Sequence, residues 1–216
     1  MTCAFGCSEI DNYSIPDAGI YGTVIDDISG EPIQTEQPNG YRMKLIKPDY
    51  EDAIPLYFWG MEDGSFQNTK IASDRYEIVP VDGAFFPPEP KLVDVKGFTE
   101  LSFAVTPFLK IIDVNVKSEG NSIITSYALS RNKIGEKIAV QATLCSENPH
   151  VNKTVWDKRV YSDLSGIADE TILATQSTDT IKGLKSGKTY YIRVGAATAN
   201  ALSRFNYSKT FQITIQ

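Results

Sequence analysis

The sequence predicts an all-β protein built from two consecutive β-sandwich domains, and three observations carry that reading. Short runs rich in Val, Ile, Thr, Tyr and Phe recur between Gly, Pro, Asn and Asp punctuation, while helical periodicity is scarce. Two sets of such runs lie on either side of Thr106-Pro107-Phe108-Leu109, where the proline disfavours continuation of a central ladder. The 216 residues suffice for two units of roughly 100 residues, a size at which a sandwich buries its own core without disulfides. The expected division is a lead-in over 1–17, one sandwich over 18–107 and a second over 108–216.

The lead-in reads MTCAFGCSEIDNY. Ala4-Phe5-Gly6-Cys7 resembles the end of a bacterial lipobox, in which a small residue precedes a cysteine that receives lipid after signal cleavage. Cys7 is the expected lipidation site. The match departs from the usual pattern at Ala4, where Leu is usual, and at Phe5, where a small or β-branched residue is usual. Too few residues precede Cys7 for a basic segment and an apolar core, so Met1 reads as internal to a longer signal or as a misplaced start. The other reading is that Cys3 and Cys7 are two thiols, or a disulfide, in a frayed terminus. Ser8-Glu9-Ile10-Asp11-Asn12 is similar to the acidic surface-export tether of Bacteroidetes lipoproteins.

In the first half the predicted strands are 19–26, 41–46, 56–59, 65–71, 73–80, 91–95 and 99–105. The first, Ile20-Tyr21-Gly22-Thr23-Val24-Ile25-Asp26-Asp27, leads into a Ser29-Gly30 turn before Pro32. This start is similar to carboxypeptidase regulatory-like (transthyretin-related) sandwiches, whose first strand reads G-x-V-x-D before a G-x-P turn. Asp63-Gly64-Ser65-Phe66 and Tyr76-Glu77-Ile78 fit the later turn and return strands.

In the second half the predicted strands are 110–116, 122–129, 137–144, 153–161, 170–175, 189–196 and 205–215. Leu184-Lys185-Ser186-Gly187-Lys188-Thr189-Tyr190-Tyr191-Ile192-Arg193-Val194 resembles the E–F corner and F strand of an immunoglobulin or fibronectin type III domain. There Tyr190 is the residue that closes the corner on the backbone. Strand periodicity puts Tyr190, Ile192 and Val194 on one face and Tyr191, Arg193 and Gly195 on the other. Cys145 ends an apolar strand and reads as a buried free thiol.

The combination of a lipobox-like start, an acidic tether, a regulatory-like sandwich and an immunoglobulin-like sandwich resembles a Bacteroidetes outer-membrane lipoprotein family of unknown function. The resemblance implies a setting: the outer membrane or cell surface, lipid anchoring, and a Sus-type transporter with glycan-binding lipoproteins as partners. It carries over no ligand residues.

Composition excludes some chemistry. With 21 Lys plus Arg against 27 Asp plus Glu, a net charge of −6, the chain presents no global footprint for nucleic acid. One His, His150, and no paired Cys/His spacing leave no expected metal, cofactor or catalytic triad. The adjacent acids Asp26-Asp27, Glu51-Asp52 and Glu62-Asp63 read as solvated turn caps rather than glycosidase pairs. Asn152-Lys153-Thr154 and Asn206-Tyr207-Ser208 fit the N-glycosylation pattern. What remains is aromatic. Leu56-Tyr57-Phe58-Trp59 alternates so that Tyr57 and Trp59 share one face, with Tyr41 and Tyr50 placed nearby, and Trp156 with Tyr161 forms a second cluster. These are candidate stacking surfaces for a glycan, against the alternative of ordinary core filling. The leading expectation is a non-catalytic, lipid-anchored accessory or binding protein of a glycan-utilisation system. The alternative is a structural spacer or adhesin/pilus-like assembly subunit.

If Cys7 carries lipid, reading frame upstream of Met1 will encode a basic start and an apolar stretch. Cys7→Ser will move the protein from the membrane fraction to the soluble fraction, because stable anchoring needs more than one acyl chain, each worth a binding constant of about 10⁴ M⁻¹. Unchanged fractionation of the serine variant would exclude the anchor.

Overall fold

A computed structural model describes residues 16–216, so Cys3, Cys7 and the acidic tether lie outside the described residues. The chain is almost entirely β. The N-terminal domain contains β1 (Ala18–Asp26), β2 (Arg42–Ile46), β3 (Leu56–Trp59), β4 (Ser65–Ile71), β5 (Asp74–Val81), β6 (Phe85–Phe86), β7 (Lys91–Val95) and β8 (Phe98–Pro107). They form one sheet in the order β4-β1-β8-β6 and another in the order β3-β2-β5-β7. Alternate residues such as Ile20, Val24, Met43, Leu45, Phe66, Ile78 and Phe103 turn inward and fill the space between the sheets.

The G-x-V-x-D stretch has a physical role at each end. β1 runs parallel to β8 with Gly22 opposite Leu101, and a Cβ on Gly22 would lie 1.7 Å from the Leu101 carbonyl oxygen. No side chain fits there. At the other end, the Asp26 carboxylate accepts hydrogen bonds from the amides of Ile28 (2.8 Å) and Ser29 (3.0 Å), which fixes the turn before Pro32.

The C-terminal domain contains β9 (Lys110–Glu119), β10 (Ser122–Ser130), β11 (Ile138–Ser146), β12 (Lys158–Asp163), α1 (Asp169–Leu173), β13 (Gln176–Ile181), β14 (Thr189–Thr198), β15 (Asn206–Tyr207) and β16 (Phe211–Thr214). Its sheets are β13-β10-β9 and β12-β11-β14, with β15 and β16 both pairing with β14. The Tyr190 hydroxyl accepts a hydrogen bond from the Lys185 amide at 3.2 Å, the backward closure that the E–F corner resemblance implies.

Four local expectations change. Residues 170–175 do not form a strand. Asp169–Leu173 is a single helical turn, because the Asp169 carboxylate accepts from the Ile138 amide and pairs with Arg131, pinning the turn start, while Ile172 plugs the core. The strand that follows, β13, has one buried residue in six and so no apolar signal. Its Asp179 instead accepts hydrogen bonds from the hydroxyls of buried Tyr127 and Thr143. β12 begins at Lys158 rather than near 153, because the Asn152 side-chain oxygen takes the amides of Thr154 and Val155 and winds that segment into a turn. The last run is divided between β15 and β16, where Ser208 Oγ accepts from the Val194 amide and the Ser208 carbonyl accepts from Arg193.

β14 is buried on both faces. Ile192, Val194 and Ala196 face the other sheet, while the opposite face is covered by a separate apolar layer of Val140, Ala142, Leu144, Val151, Phe205 and Tyr207. Arg193 lies in that second layer at 1% exposure.

Replacing Tyr190 with Phe removes one partly buried hydrogen bond and leaves the ring in place. Chemical denaturation is expected to show a loss of about 1 kcal/mol in the C-terminal domain. An unchanged midpoint would show that the corner bond contributes nothing.

Candidate functional site

The two domains meet along a seam in which the N-terminal side supplies acids and the C-terminal side supplies bases. Glu36, 3% exposed, accepts the Tyr207 hydroxyl at 2.8 Å on Oε2 and pairs with Lys153 at 3.2 Å on Oε1. Arg193 sits 4.5 Å over the Tyr207 ring. It donates through Nε to the Ser208 carbonyl (3.0 Å) and places Nη1 4.0 Å from Glu62 Oε2. Glu62 Oε1 also lies 2.9 Å from His150 Nδ1. Asp26 pairs with Lys110 at 2.9 Å, and Glu31 pairs with Lys209 at 3.4 Å. Asn206 completes the seam: its side-chain oxygen accepts from the Leu109 amide in the linker and its NH₂ donates to the Ala84 carbonyl.

Burial, reinforced by the Glu36 carboxylate, pushes the Tyr207 phenol well above its usual range, so it remains a donor. Burial lowers the Arg193 value while the Tyr207, Glu62 and Glu36 side chains oppose that, and arginine stays charged.

The Tyr57 and Trp59 side chains stand on the outer face of β3, 43% and 40% exposed, while Phe58 between them packs against the core. Gly60 ends the strand where a Cβ would lie 2.0 Å from the Tyr41 ring. Tyr41 is itself fully buried, its hydroxyl donating to the carbonyls of Gly64 and Ser65. It belongs to the core and not to the surface cluster. Tyr50 is exposed and lies beneath Lys47, 5.2 Å away. In register, Arg42 of β2 is opposite Trp59 and Lys44 is opposite Tyr57. The Arg42 guanidinium lies 4.4 Å from the Tyr57 ring centre and 5.7 Å from that of Trp59. Arg204, from the C-terminal domain, lies 5.7 Å from the Trp59 ring centre. Asp82 holds both cations: its carboxylate accepts from Arg42, and its carbonyl accepts from Arg204 Nε at 2.9 Å.

The second pair repeats the arrangement within the C-terminal domain. Trp156 and Tyr161 are 39% and 54% exposed. The Arg159 guanidinium lies 4.4 Å from one ring and 5.1 Å from the other. Sequence reasoning found the four aromatic residues and missed the arginines that join them. The signal for Arg159 was present, since it lies two residues before Tyr161 on the same strand face, whereas Arg42 and Arg204 come together with Trp59 only through strand pairing and domain contact.

A cleft of about 410 Å³ opens at the seam, lined by Asp26, Gln34, Pro107, Lys110, Tyr207 and Lys209 among others. None of the four aromatic candidates lines it. Several groups singled out for other chemistry are buried or engaged. Cys145 is a buried free thiol whose pKa burial pushes up to about 12, so it is not a nucleophile at neutral pH. Asp63 accepts from the Ser65 amide and hydroxyl. Asn152 and Asn206 are buried with their amides hydrogen-bonded, which closes both glycosylation motifs to modification. Among the described residues no three His, Cys, Asp or Glu side chains group to hold a metal ion, and no helix is long and apolar enough to cross a membrane.

Comparison with known proteins covers nearly the whole described chain. The family described as "Protein of unknown function (DUF3823) N-terminal domain" matches residues 18–106, and "Domain of unknown function (DUF3823_C)" matches residues 109–212. A DUF3823 family protein from Bacteroides uniformis superposes with a TM-score of 0.80 at 22% identity, covering 93% of this chain and 100% of that one. A Bacteroides uniformis protein described as a "putative carbohydrate binding protein" superposes with a TM-score of 0.77 at 22% identity, covering 92% and 99%. A DUF3823 family protein from Parabacteroides merdae gives 0.76 at 19% identity, covering 92% and 99%. No curated protein matches the chain.

The seam predicts a pH dependence. Burial alone would raise the Asp26 pKa, but the Lys110 ammonium and the amides of Ser29 and Ile28 outweigh it and hold the carboxyl below its ordinary 3.8. A depressed folded-state value means that this contribution is fully present above the unfolded pKa and is lost as pH falls through the folded one. The stability difference between the wild type and Asp26→Asn will therefore be largest near neutral pH and shrink below about pH 4 in denaturant titrations. A difference that stays constant on acidification would remove Asp26 from the account.

Proposed function

This chain belongs to the DUF3823 family, its two halves matching that family's N-terminal and C-terminal domains, and from that premise we propose that it is a non-catalytic carbohydrate-binding accessory protein of a glycan-utilisation system. The observation that carries the reading is the Tyr57–Trp59 face. Two large rings stand half-exposed side by side on a rigid sheet edge, with Arg42 set between them as a hydrogen-bond donor. Sugars are bound by such surfaces because ring C–H groups meet an aromatic π face while polar side chains take the hydroxyls. The similar Bacteroides uniformis structure described as a "putative carbohydrate binding protein" supports the same class of ligand. A non-catalytic role is supported by the engagement of Asp26, Glu62 and Asp63 in ion pairs and turn caps.

The lipobox-like Ala4-Phe5-Gly6-Cys7 and the acidic residues after it support a place at the outer membrane, anchored by lipid, beside a Sus-type transporter and its glycan-binding lipoproteins. The two-domain body would then be tethered at its N-terminal end, leaving the Tyr57–Trp59 face to meet polymer.

Affinity electrophoresis through a panel of neutral and acidic polysaccharides tests the reading. The wild type is expected to be retarded by at least one of them, and Trp59→Ala to lose that retention while its melting temperature stays nearly unchanged. A core tryptophan would instead cost about 3–5 kcal/mol on truncation. Retardation by none of the panel, or retention by Trp59→Ala equal to the wild type, would overturn the role.

A further inference from the structure

We propose that the Tyr57–Trp59 surface takes acidic polysaccharide, with carboxylate or sulfate groups bound by Arg42, Lys44 and Arg204, and that it is complete only when both domains are docked. The proposal rests on the carbohydrate-binding reading and specifies its ligand class. At least one face of each ring is already occupied by a guanidinium: Arg42 lies over Tyr57 and Trp59, and Arg204 lies over Trp59. A neutral sugar stacking on those occupied faces would have to displace the cations from the rings. An anionic sugar meets them where they are held.

The local charge balance agrees. Three cations, Arg42, Lys44 and Arg204, gather around the two rings in a chain of net charge −6. The acid that touches the group is Asp82, and its carboxylate is occupied by Nε and Nη2 of Arg42. Arg204 spends Nε on the Asp82 carbonyl. Among the described residues, Nη1 of Arg42, both terminal nitrogens of Arg204 and the Lys44 ammonium have no protein hydrogen-bond partner. Glu62, the next acid along the chain from Trp59, is turned to His150 and Arg193. Guanidinium groups held beside aromatic rings lose little freedom on binding, and the two terminal nitrogens of Arg204 present paired donors to a carboxylate or sulfate while Arg42 adds Nη1.

Arg204 gives the seam a purpose. It reaches Trp59 from the C-terminal domain, and the bond from its Nε to the Asp82 carbonyl links the two domains at the site itself. The acid–base seam therefore sets the distance between Arg204 and the N-terminal rings.

Matched polymers test the proposal on the intact two-domain chain. Polygalacturonate is compared with its fully methyl-esterified form, and chondroitin sulfate with unsulfated chondroitin, so that sugar and charge vary separately and carboxylate is distinguished from sulfate. Retention of a charged member is expected to exceed that of its less charged partner about tenfold or more, to weaken several-fold between about 50 and 500 mM NaCl, and to fall about tenfold in Arg204→Gln. Lys44→Gln, which breaks no bond of the seam, is the second variant and is expected to weaken retention in the same direction. Melting curves show that each variant is folded. Trp59-dependent retention that ignores polymer charge and both substitutions overturns the acidic ligand and leaves the carbohydrate reading standing. Retention of none of the four polymers overturns the acidic ligand, and retention of no polysaccharide at all overturns both.

Discussion

The seam between the domains is the constraint on which the rest of the molecule depends. Asp26, Glu31, Glu36 and Glu62 of the N-terminal sandwich meet basic side chains of the C-terminal one, and in the most buried of these contacts Glu36, 3% exposed, meets the Tyr207 hydroxyl and Lys153. Burying a carboxylate is expensive, and removing one partner from such a cluster costs about 3–5 kcal/mol because the other charge is stranded. The two halves are therefore not beads on a string. Their relative placement is fixed by charges that have no acceptable alternative once desolvated, and by Asn206, which ties the linker amide of Leu109 and the Ala84 carbonyl with a single side chain.

Arginine laid on an aromatic ring is the recurrent local device. Arg193 lies on Tyr207 inside the seam, Arg42 on Tyr57 and Trp59 beside it, and Arg159 on Trp156 and Tyr161 in the C-terminal sandwich. Each exposed contact is worth about 0.5–1 kcal/mol, more where water is excluded. The buried instance thus serves structure and the exposed ones leave donors available. The same chemistry yields opposite outcomes because of what surrounds it. Arg193 is enclosed by the second apolar layer over β14, whereas Arg42 and Arg159 lie against half-exposed rings on outer sheet faces.

Legibility in the sequence followed the range of the interactions. The all-β class, the buried Cys145, the Tyr190 corner and the placing of Tyr57 with Trp59 on the face opposite Phe58 all follow from alternation and turn residues within a few positions of one another. β13 was illegible because its anchor is Asp179, which takes hydroxyls from Tyr127 and Thr143 far along the chain. Period-two alternation marks the face that Arg193 shares with Tyr191 and Gly195, but not the further apolar layer that covers it. The candidate surface was half legible: its rings sit in one tetrapeptide, but Arg42 arrives by strand pairing and Arg204 from 145 positions beyond Trp59 in the other domain.

That separation explains why the domains are locked rather than loosely joined. A guanidinium delivered across a flexible linker would sample many positions over Trp59, and a ligand would have to offset the entropy of stopping it. Delivered by a seam already paid for in folding, it is in place beforehand. The acid at the centre, Asp82, meets both requirements at once: its carboxylate steadies Arg42 within its own domain and its carbonyl receives Arg204 from the other. Left-handed backbone at Asp82, with φ of 59°, is a conformation Asp adopts more readily than most residues. A residue that steadies one cation through its side chain and receives the other through its backbone is the link between the fold of the two sandwiches and the surface they present.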